Sequence, residues 1–256
     1  MVSSIYLTDS GRQRLDAHFA SVILLKTTSS TNDVASQAPL GDGAILVAST
    51  RQESGRGRRG NRWVSAPGSL AFTVAVPWSG PMTRESGPLP LVAGLALATA
   101  LEKMGVPVKL KWPNDLWIDE EKVGGILAEK HRQRILVGVG LNVASAPSLE
   151  PDCVPATFLQ KHVGSKLSME LGDVLVSCAG ALVEALFEFK RTRVFPRAEY
   201  LLCFPFLGQR VTMEHGSTVV EGTIVDVDED GALVVQTETQ SIRCQAGEVH
   251  HVRRRA

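Results

Sequence analysis

The sequence predicts an α+β chain: a mixed β-sheet with helices packed on one face, followed by a small β-barrel at the C-terminus. Three observations carry that prediction. Apolar residues recur at helical spacing over residues 89–104 and again over 169–189, far enough for two long helices. Between them lie short apolar runs separated by tight turns, the signature of hairpins and therefore of largely antiparallel pairing. After Pro205 the texture changes to short alternating segments broken by HG, EDG and AGE turns, enough for five strands. At 256 residues the chain accommodates one large domain and one small one, divided as 1–204 and 205–256.

The elements follow in order. Residues 10–20 form a short helix and 21–26 a strand. The polar run TTSSTNDVA (27–35) is a loop entering a second helix, with Ser30 or Thr31 as N-cap and Asp33 complementing the dipole in the first turn. Residues 44–49 and 69–77 are buried strands joined by a long Gly/Arg/Ser connection, a length that compact domains reserve for functional loops or disorder. Gly105 ends the helix over 89–104. Strands follow at 108–110, 116–118, 123–129 and 135–143, with a hairpin turn at 119–121. Residues 144–166 are Pro/Ser-rich and non-periodic, a composition that suits a loose segment, and a last short helix lies near 198–202.

Composition excludes several function classes. Twenty-seven Lys and Arg balance 27 Asp and Glu, so no overall field holds the chain on nucleic acid or anionic lipid. No apolar run is long enough to cross a membrane, and the first residues lack a secretory core, so a cytoplasmic protein is expected. Cys153, Cys178, Cys203 and Cys244 show no C-x-x-C pair and read as reduced, mostly buried thiols. The six histidines lack ligand spacing, and the terminal VRRRA reads as a solvated tail.

Three segments carry chemistry. In QESGRGRRGNRW (52–63), Arg56, Arg58, Arg59 and Arg62 alternate with Gly55, Gly57 and Gly60. Glycines let backbone approach a ligand while guanidinium forks take phosphate or carboxylate, so the segment is an anion cradle or else a solvated basic loop. It matches neither a Walker loop nor a Rossmann turn. In KWPNDLWIDEEKVGGILAE (111–129), Pro113 holds Lys111 and Trp112 extended and places Asn114 and Asp115 at a turn. Lys122 then leads into Gly124-Gly125, a Gly pair that marks a bulge or a close approach to ligand. In VGVGLNV (137–143), small residues leave room above a strand, and Asn142 needs hydrogen-bond partners that an adenine edge or the backbone could supply.

Taken in order, STN (30–32), QESGRGRRGNRW, KWPNDL (111–116), KVGGILAE (122–129) and VGVGLNV resemble biotin protein ligases. The resemblance covers residues 25–145 and extends, more weakly, to DVDEDGALVV (226–235), which is similar to that family's SH3-like barrel. It implies the class II aminoacyl-tRNA synthetase/biotin ligase fold, ATP with Mg²⁺ and biotin as substrates, and a biotin carboxyl carrier protein domain as partner. By the same resemblance, biotin contacts fall to Ser30, Thr31, Asn32, Gln52, Arg56, Gly57, Arg58, Lys122 and Gly125. ATP and adenylate contacts fall to Arg56, Arg58, Arg59, Trp63, Lys111 and Asn142. Lys122, Arg58, Lys111 and Asp115 are the expected catalytic groups, with Asn114 and Asp115 for Mg²⁺ and no metal site built by the protein alone. Only 29 residues precede Ser30, too few for the DNA-binding domain of regulatory members, so a stand-alone ligase, monomer or homodimer, is expected without DNA. The alternatives are a lipoate or octanoate transferase of the same fold, against which GRGRRG and KWPND point, and a nucleic-acid binder using the Arg loop.

Overall fold

The secondary structure begins where local capping dictates. In α1 (Asp9–His18) the Thr8 hydroxyl accepts from the Gly11 N–H, and Asp9 sits in the first turn. Then follow β1 (Ser21–Leu25), α2 (Thr31–Gln37), β2 (Ile45–Ser49) and β3 (Ser69–Pro77). α3 (Leu89–Lys103) stops at Gly105, whose φ of 86° provides the left-handed turn that ends it. The hairpin run comprises β4 (Lys109–Lys111), β5 (Asp115–Ile118), β6 (Glu121–His131) and β7 (Arg134–Asn142). After it come α4 (Leu171–Thr192) and α5 (Arg197–Cys203), and then β8 (Arg210–His215), β9 (Thr218–Val227), β10 (Leu233–Gln236), β11 (Ser241–Cys244) and β12 (Glu248–His251). The computed structural model describes residues 5–39, 41–79, 87–148, 154–163, 168–215, 218–245 and 247–251. The expected VRRRA tail, Cys153 and parts of the 144–166 segment and of the HG and AGE turns lie outside them.

A seven-stranded sheet of order β1-β2-β3-β7-β6-β5-β4 forms the first unit. It is mixed because α2 carries the chain back to pair β2 parallel to β1, whereas every other neighbour is antiparallel. Alternate residues divide its two faces. Leu70, Phe72, Val74 and Val76 of β3, with Ile135, Val137, Val139 and Leu141 of β7, enter the main core with Leu15 of α1, Leu97 and Leu101 of α3 and Leu182 of α4. The short α2 is the exception to the one-sided packing, covering Ile45, Val47, Ala75 and Leu136 on the other face. The remainder of that second face bears small or polar residues: Ser69, Ala71 and Thr73 on β3, and Gly138, Gly140 and Asn142 on β7.

Three sequence expectations need correction. β6 is longer than 123–129 because its hairpin with β7 continues to His131–Arg134. α4 runs on to Thr192, where Arg193 at φ 58° caps it and lays its guanidinium 4.1 Å from the Trp78 ring centroid. Residues 154–163 are not loose: the Lys122 N–H donates to Pro155 O (2.8 Å) and the Thr157 N–H to Lys122 O (2.9 Å), a single parallel bridge from Ala156 to the start of β6, before a 3-10 turn at Leu159–His162.

The second unit is a five-stranded antiparallel sheet of order β11-β10-β9-β8-β12. Its β9–β10 turn is set by Asp228, which accepts from the N–H groups of Asp230 and Ala232, with Gly231 at φ 75°. That turn docks on the larger unit. The Trp112 indole N–H donates to Gly231 O at 2.9 Å, and a Cβ on Gly231 would lie 2.9 Å from Leu91. Trp117 meets Phe206 edge-on, and Arg197 donates to Val227 O. Cys178 and Cys244 are buried free thiols and Cys203 is half-buried. Among the described residues no helix is long and apolar enough to cross a membrane.

Candidate active site

The site grows from the ends of the parallel strands. Past β1 and β2 the chain continues to pair: Thr28 N–H donates to Arg51 O, Glu53 N–H to Thr28 O and Ser54 N–H to Ser29 O. This sets STN directly beside the start of the Arg loop. The Gln52 carbonyl oxygen Oε1 accepts from the Thr31 N–H (2.8 Å) and the Thr31 hydroxyl (3.1 Å). Ser30 is the N-cap residue of α2 as expected, yet its side chain makes no capping bond.

Asn32 is buried and fixed from two sides. Its Nδ2 donates to Glu129 Oε2 at 2.6 Å, which turns Oδ1 toward the Thr73 hydroxyl, also 2.6 Å away. Gly138 makes this possible, since a Cβ there would stand 2.5 Å from Asn32 Oδ1. Arg56 extends over the same acids, donating to Asp33 at 2.8 Å and to Glu129 at 3.4 Å. The bond to Asp33 is the main reason its guanidinium is held above its ordinary pKa, with desolvation opposing. Arg56 is thus a tie between the loop, α2 and β6.

The Arg loop is a folded turn rather than a flexible basic segment. Gly57 N–H donates to Asn61 O (2.7 Å) and Trp63 N–H to Gly55 O (3.0 Å), while Arg59 at φ 55° and Gly60 at φ 81° reverse the chain. Arg58 reaches across to Asn114 Oδ1 at 3.3 Å, and Asn114 Nδ2 is anchored on Ile126 O. The loop thereby touches the turn of KWPND. That turn spans 112–114 rather than 114–115, so Trp112 belongs to the turn and not to an extended run, with a cis Trp112–Pro113 bond, and Asp115 opens β5.

Lys122 and Asp115 form the charged centre. Their Nζ and Oδ1 atoms are 2.7 Å apart. A bulge at Val123, beside the Gly pair, breaks the β5–β6 register and re-aims Lys122 over Gly125, whose missing Cβ would touch both partners at 3.4–3.5 Å. Lys111 stands cross-strand from Asp115, with its ammonium 4.2 Å from the Trp117 ring centroid.

Trp63 and Asn142 complete the floor. The indole lies on Gly140, where a Cβ would come within 2.4 Å of it. Asn142 Nδ2 donates to Thr157 O at 3.0 Å, and the Thr157 hydroxyl is 2.9 Å from His162 Nε2. A cavity of about 590 Å³ between Thr50–Glu53 and Arg62–Gly68 includes Gln52 and Trp63 but neither Lys122 nor Asp115, so it adjoins the charged centre rather than containing it. Ser30–Asn32, Gln52, Arg56, Arg58, Trp63, Lys111, Asn114, Asp115, Lys122, Gly125 and Asn142 therefore lie on or beside one face of the sheet, with Arg59 at the tip of the loop turn. Thr73, Glu129 and Thr157 were not singled out. A hydroxyl within the apolar run of β3 and an acid ending KVGGILAE were the only signals available for the first two.

The chain matches two known protein families: the Biotin/lipoate A/B protein ligase family over residues 24–144, and the Biotin protein ligase C terminal domain over residues 206–252. It is 30% identical over 260 residues to a biotin–[acetyl-CoA-carboxylase] ligase of Mycobacterium tuberculosis, covering 95% of this chain and 91% of the relative. It is 31% identical over 228 residues to the corresponding ligase of Paracoccus denitrificans, covering 84% and 93%. The biotin protein ligase of Aquifex aeolicus, solved in complex with biotin and ATP, superposes with a TM-score of 0.79 at 28% identity, covering 91% of this chain and all of the other. Fold, motif geometry and relatives agree, and the chain belongs to the biotin protein ligase family.

Proposed function

We propose that the chain is an ATP-dependent biotin protein ligase. It activates biotin as biotinyl-5'-AMP with release of pyrophosphate, then transfers the biotinyl group to a lysine of a biotin carboxyl carrier protein domain. The observation that carries this reading is the meeting of the Arg58–Asn114 bridge and the Lys122–Asp115 pair on one sheet face, beside the Ser30–Gln52 loops.

The first step joins two anions. A biotin carboxylate oxygen attacks the α-phosphorus, and the bond to pyrophosphate breaks, so charge builds on the α-phosphate and on the leaving group. Fixed cations that need no reorganisation lower that barrier. Lys122 is assigned to the reacting carboxylate and α-phosphate, Arg58 to closure over the adenylate, and Lys111 and Arg59 to the outer phosphates. Ser30, Thr31, Asn32, Gln52, Arg56, Gly57 and Gly125 are assigned to biotin. Trp63 is assigned to the face of the base and Asn142 to its edge. In the second step the neutral amine attacks the acyl carbon, AMP leaves, and a proton must be taken up. Asp115 is the carboxylate placed to receive it once its hold on Lys122 loosens.

The donor set does not make a resident Mg²⁺ site. Asn114 Oδ1 already faces Arg58 and Asp115 Oδ1 already faces Lys122, so each candidate ligand has a cation in front of it. Mg²⁺ is accordingly assigned to the nucleotide, as part of the substrate. The free thiols suit a reducing compartment. The start of the C-terminal domain match at residue 206 supports the division at 204/205 and favours biotin over lipoate. Relatives named for acetyl-CoA carboxylase make its carrier domain the first acceptor to try.

The test is pyrophosphate release by the purified protein with ATP and Mg²⁺, comparing biotin, lipoate and no acid. Release dependent on biotin, lost by about a hundredfold or more in Lys122→Ala, is expected. Release that ignores biotin, or an unimpaired variant, would overturn the reading.

A further inference from the structure

Six buried side-chain polar atoms find no hydrogen-bond partner among the described residues; two belong to Arg134 and one to Trp117, and the other three, Trp63 Nε1, Ser69 Oγ and Asn142 Oδ1, stand together on the second face of the sheet. They are neighbours. Ser69 and Asn142 are directly paired across β3 and β7, on the face opposite the main core, and Trp63 lies on Gly140, the next residue along that face. Ser69 is 0% exposed and Asn142 2%. A buried polar group left without a partner is costly, and a cluster of them beside a substrate site points to a ligand that supplies what is missing.

From this cluster we infer that Ser69 is a specificity-determining residue for the nucleotide, acting with Asn142 to read the adenine edge; this rests on the ligase reading above. The atom order follows from the hydrogen bonds already made. Asn142 has committed its Nδ2 to Thr157 O, so the open atom is the acceptor Oδ1 and it calls for a donor. Thr157 is held in turn by Lys122 and His162, so the amide cannot readily turn over. Ser69 can donate. An acceptor beside a donor complements adenine, which presents its exocyclic amine next to a bare ring nitrogen on either side. Guanine places a carbonyl oxygen where the amine would be, directly against Asn142 Oδ1. Both atoms are closed off from solvent, so a base reaching them must part their cover, and Trp63 is the side chain seated beside them.

Ser69→Ala separates this role from a structural one. Removing a hydroxyl that bonds to nothing in the free protein leaves the melting temperature unchanged or raises it. The same change raises the KM for ATP by about tenfold, with kcat and the KM for biotin held within twofold. Either 1-deaza-ATP or 7-deaza-ATP lacks the nitrogen that Ser69 donates to, and with that analogue the wild type is already weak and Ser69→Ala costs nothing more. Direct titration of non-reacting AMP-type ligand in the absence of biotin reports the same loss without turnover. If wild type shows no biotin-dependent turnover, the ligase reading has failed. If wild type turns over normally, a lower melting temperature in Ser69→Ala, an unchanged KM for ATP, or the same penalty with both deaza analogues overturns the role of Ser69. Loss in Trp63→Phe but not in Ser69→Ala overturns it too, by moving the donor to the indole.

Discussion

Two glycines two residues apart on β7 hold the two halves of the proposed substrate site apart, and substituting each in turn should damage one half and spare the other. An ideal Cβ on Gly140 lies 2.4, 2.7 and 2.7 Å from three atoms of the Trp63 ring. Carbon atoms settle about 3.5–4.0 Å apart, so the indole must retreat by about 1 Å or more. It is half-buried on a loop and has room to give way. The backbone gain of Gly→Ala, about 0.4–1 kcal/mol, offsets much of the overlap, and Gly140→Ala should melt within a few degrees of wild type. The base loses its stacking surface, and the KM for ATP rises about tenfold. Gly138→Ala differs. Its Cβ falls 2.5 Å from Asn32 Oδ1, and Asn32 is held at 2.6 Å by both Glu129 and Thr73. Nothing there yields cheaply, so about 1–3 kcal/mol of overpacking appears as a melting point lower by roughly 2–10 °C. The KM that rises is the one for biotin. Differential scanning fluorimetry and pyrophosphate-release kinetics, varying each substrate at saturating levels of the other, measure all four quantities. A wild-type KM for ATP in Gly140→Ala, or a Gly138→Ala defect confined to ATP, would refute the assignment of the two halves.

Three further outcomes are expected. Arg58→Gly removes the guanidinium that bridges the loop to Asn114 and should let adenylate escape, seen as biotinylation of a bystander protein on a streptavidin blot; pyrophosphate release without added bystander labelling would contradict it. Trp112→Phe deletes the buried indole bond to Gly231 O and strands that carbonyl. Calorimetry should show a loss of about 1–3 kcal/mol, with the KM for ATP raised and that for biotin unchanged, because the indole ties the turn holding Asn114 and Asp115 to the β9–β10 turn. Burial pushes the Cys178 thiol up to about 12, whereas in the unfolded chain it titrates near its ordinary value of about 8.5. The unfolded state therefore gives up this proton first. Stability from this group is complete below about pH 8.5 and falls above it by at most about 1.4 kcal/mol per pH unit, a slope that Cys178→Ala should remove from urea midpoints taken between pH 8 and 10.

The fold was legible where periodicity is strong and where the turn residues have a single use. The two long helices expected over 89–104 and 169–189, Gly105 as a stop, and the existence of the β5–β6 and β6–β7 hairpins follow from spacing and turn chemistry, whereas the far ends of α4 and β6 do not. Residues 154–163 were not legible, because their order comes from backbone bonds to Lys122, and no side-chain pattern advertises a backbone partner. The site divides in the same way. Arginines, lysines and glycines at close spacing mark a candidate anion site in the sequence, but Thr73, Thr157 and Ser69 look like any other strand or loop hydroxyl. What marks them is which face they occupy and whether a neighbour answers their hydrogen bonds. A strand of alternating Gly and apolar residues such as VGVGLNV fixes which face is thinned, yet which side chain fills the thinned space depends on contacts from residues 32 and 63, far away along the chain.

The pairing of charges within the site bears on how adenylation would be timed. Arg56 pairs with Asp33 and Glu129, and Lys122 with Asp115. These pairs are not equivalent. Arg56 lies between two acids from different elements, and the hydrogen bond to Asp33 is the main cause of its raised pKa. It therefore serves best as a fixed strut that shapes the biotin side. Lys122 is paired with Asp115, which follows directly on the turn that Arg58 reaches through Asn114. An anion arriving between the two halves competes with Asp115 for Lys122. On the ligase reading, nucleotide and biotin would draw Lys122 forward, and Asp115 would be left less neutralised just as an acceptor ammonium approaches. A carboxylate masked during the first half-reaction and exposed for the second needs no large motion, only exchange of one ion-pair partner for another across about 3 Å.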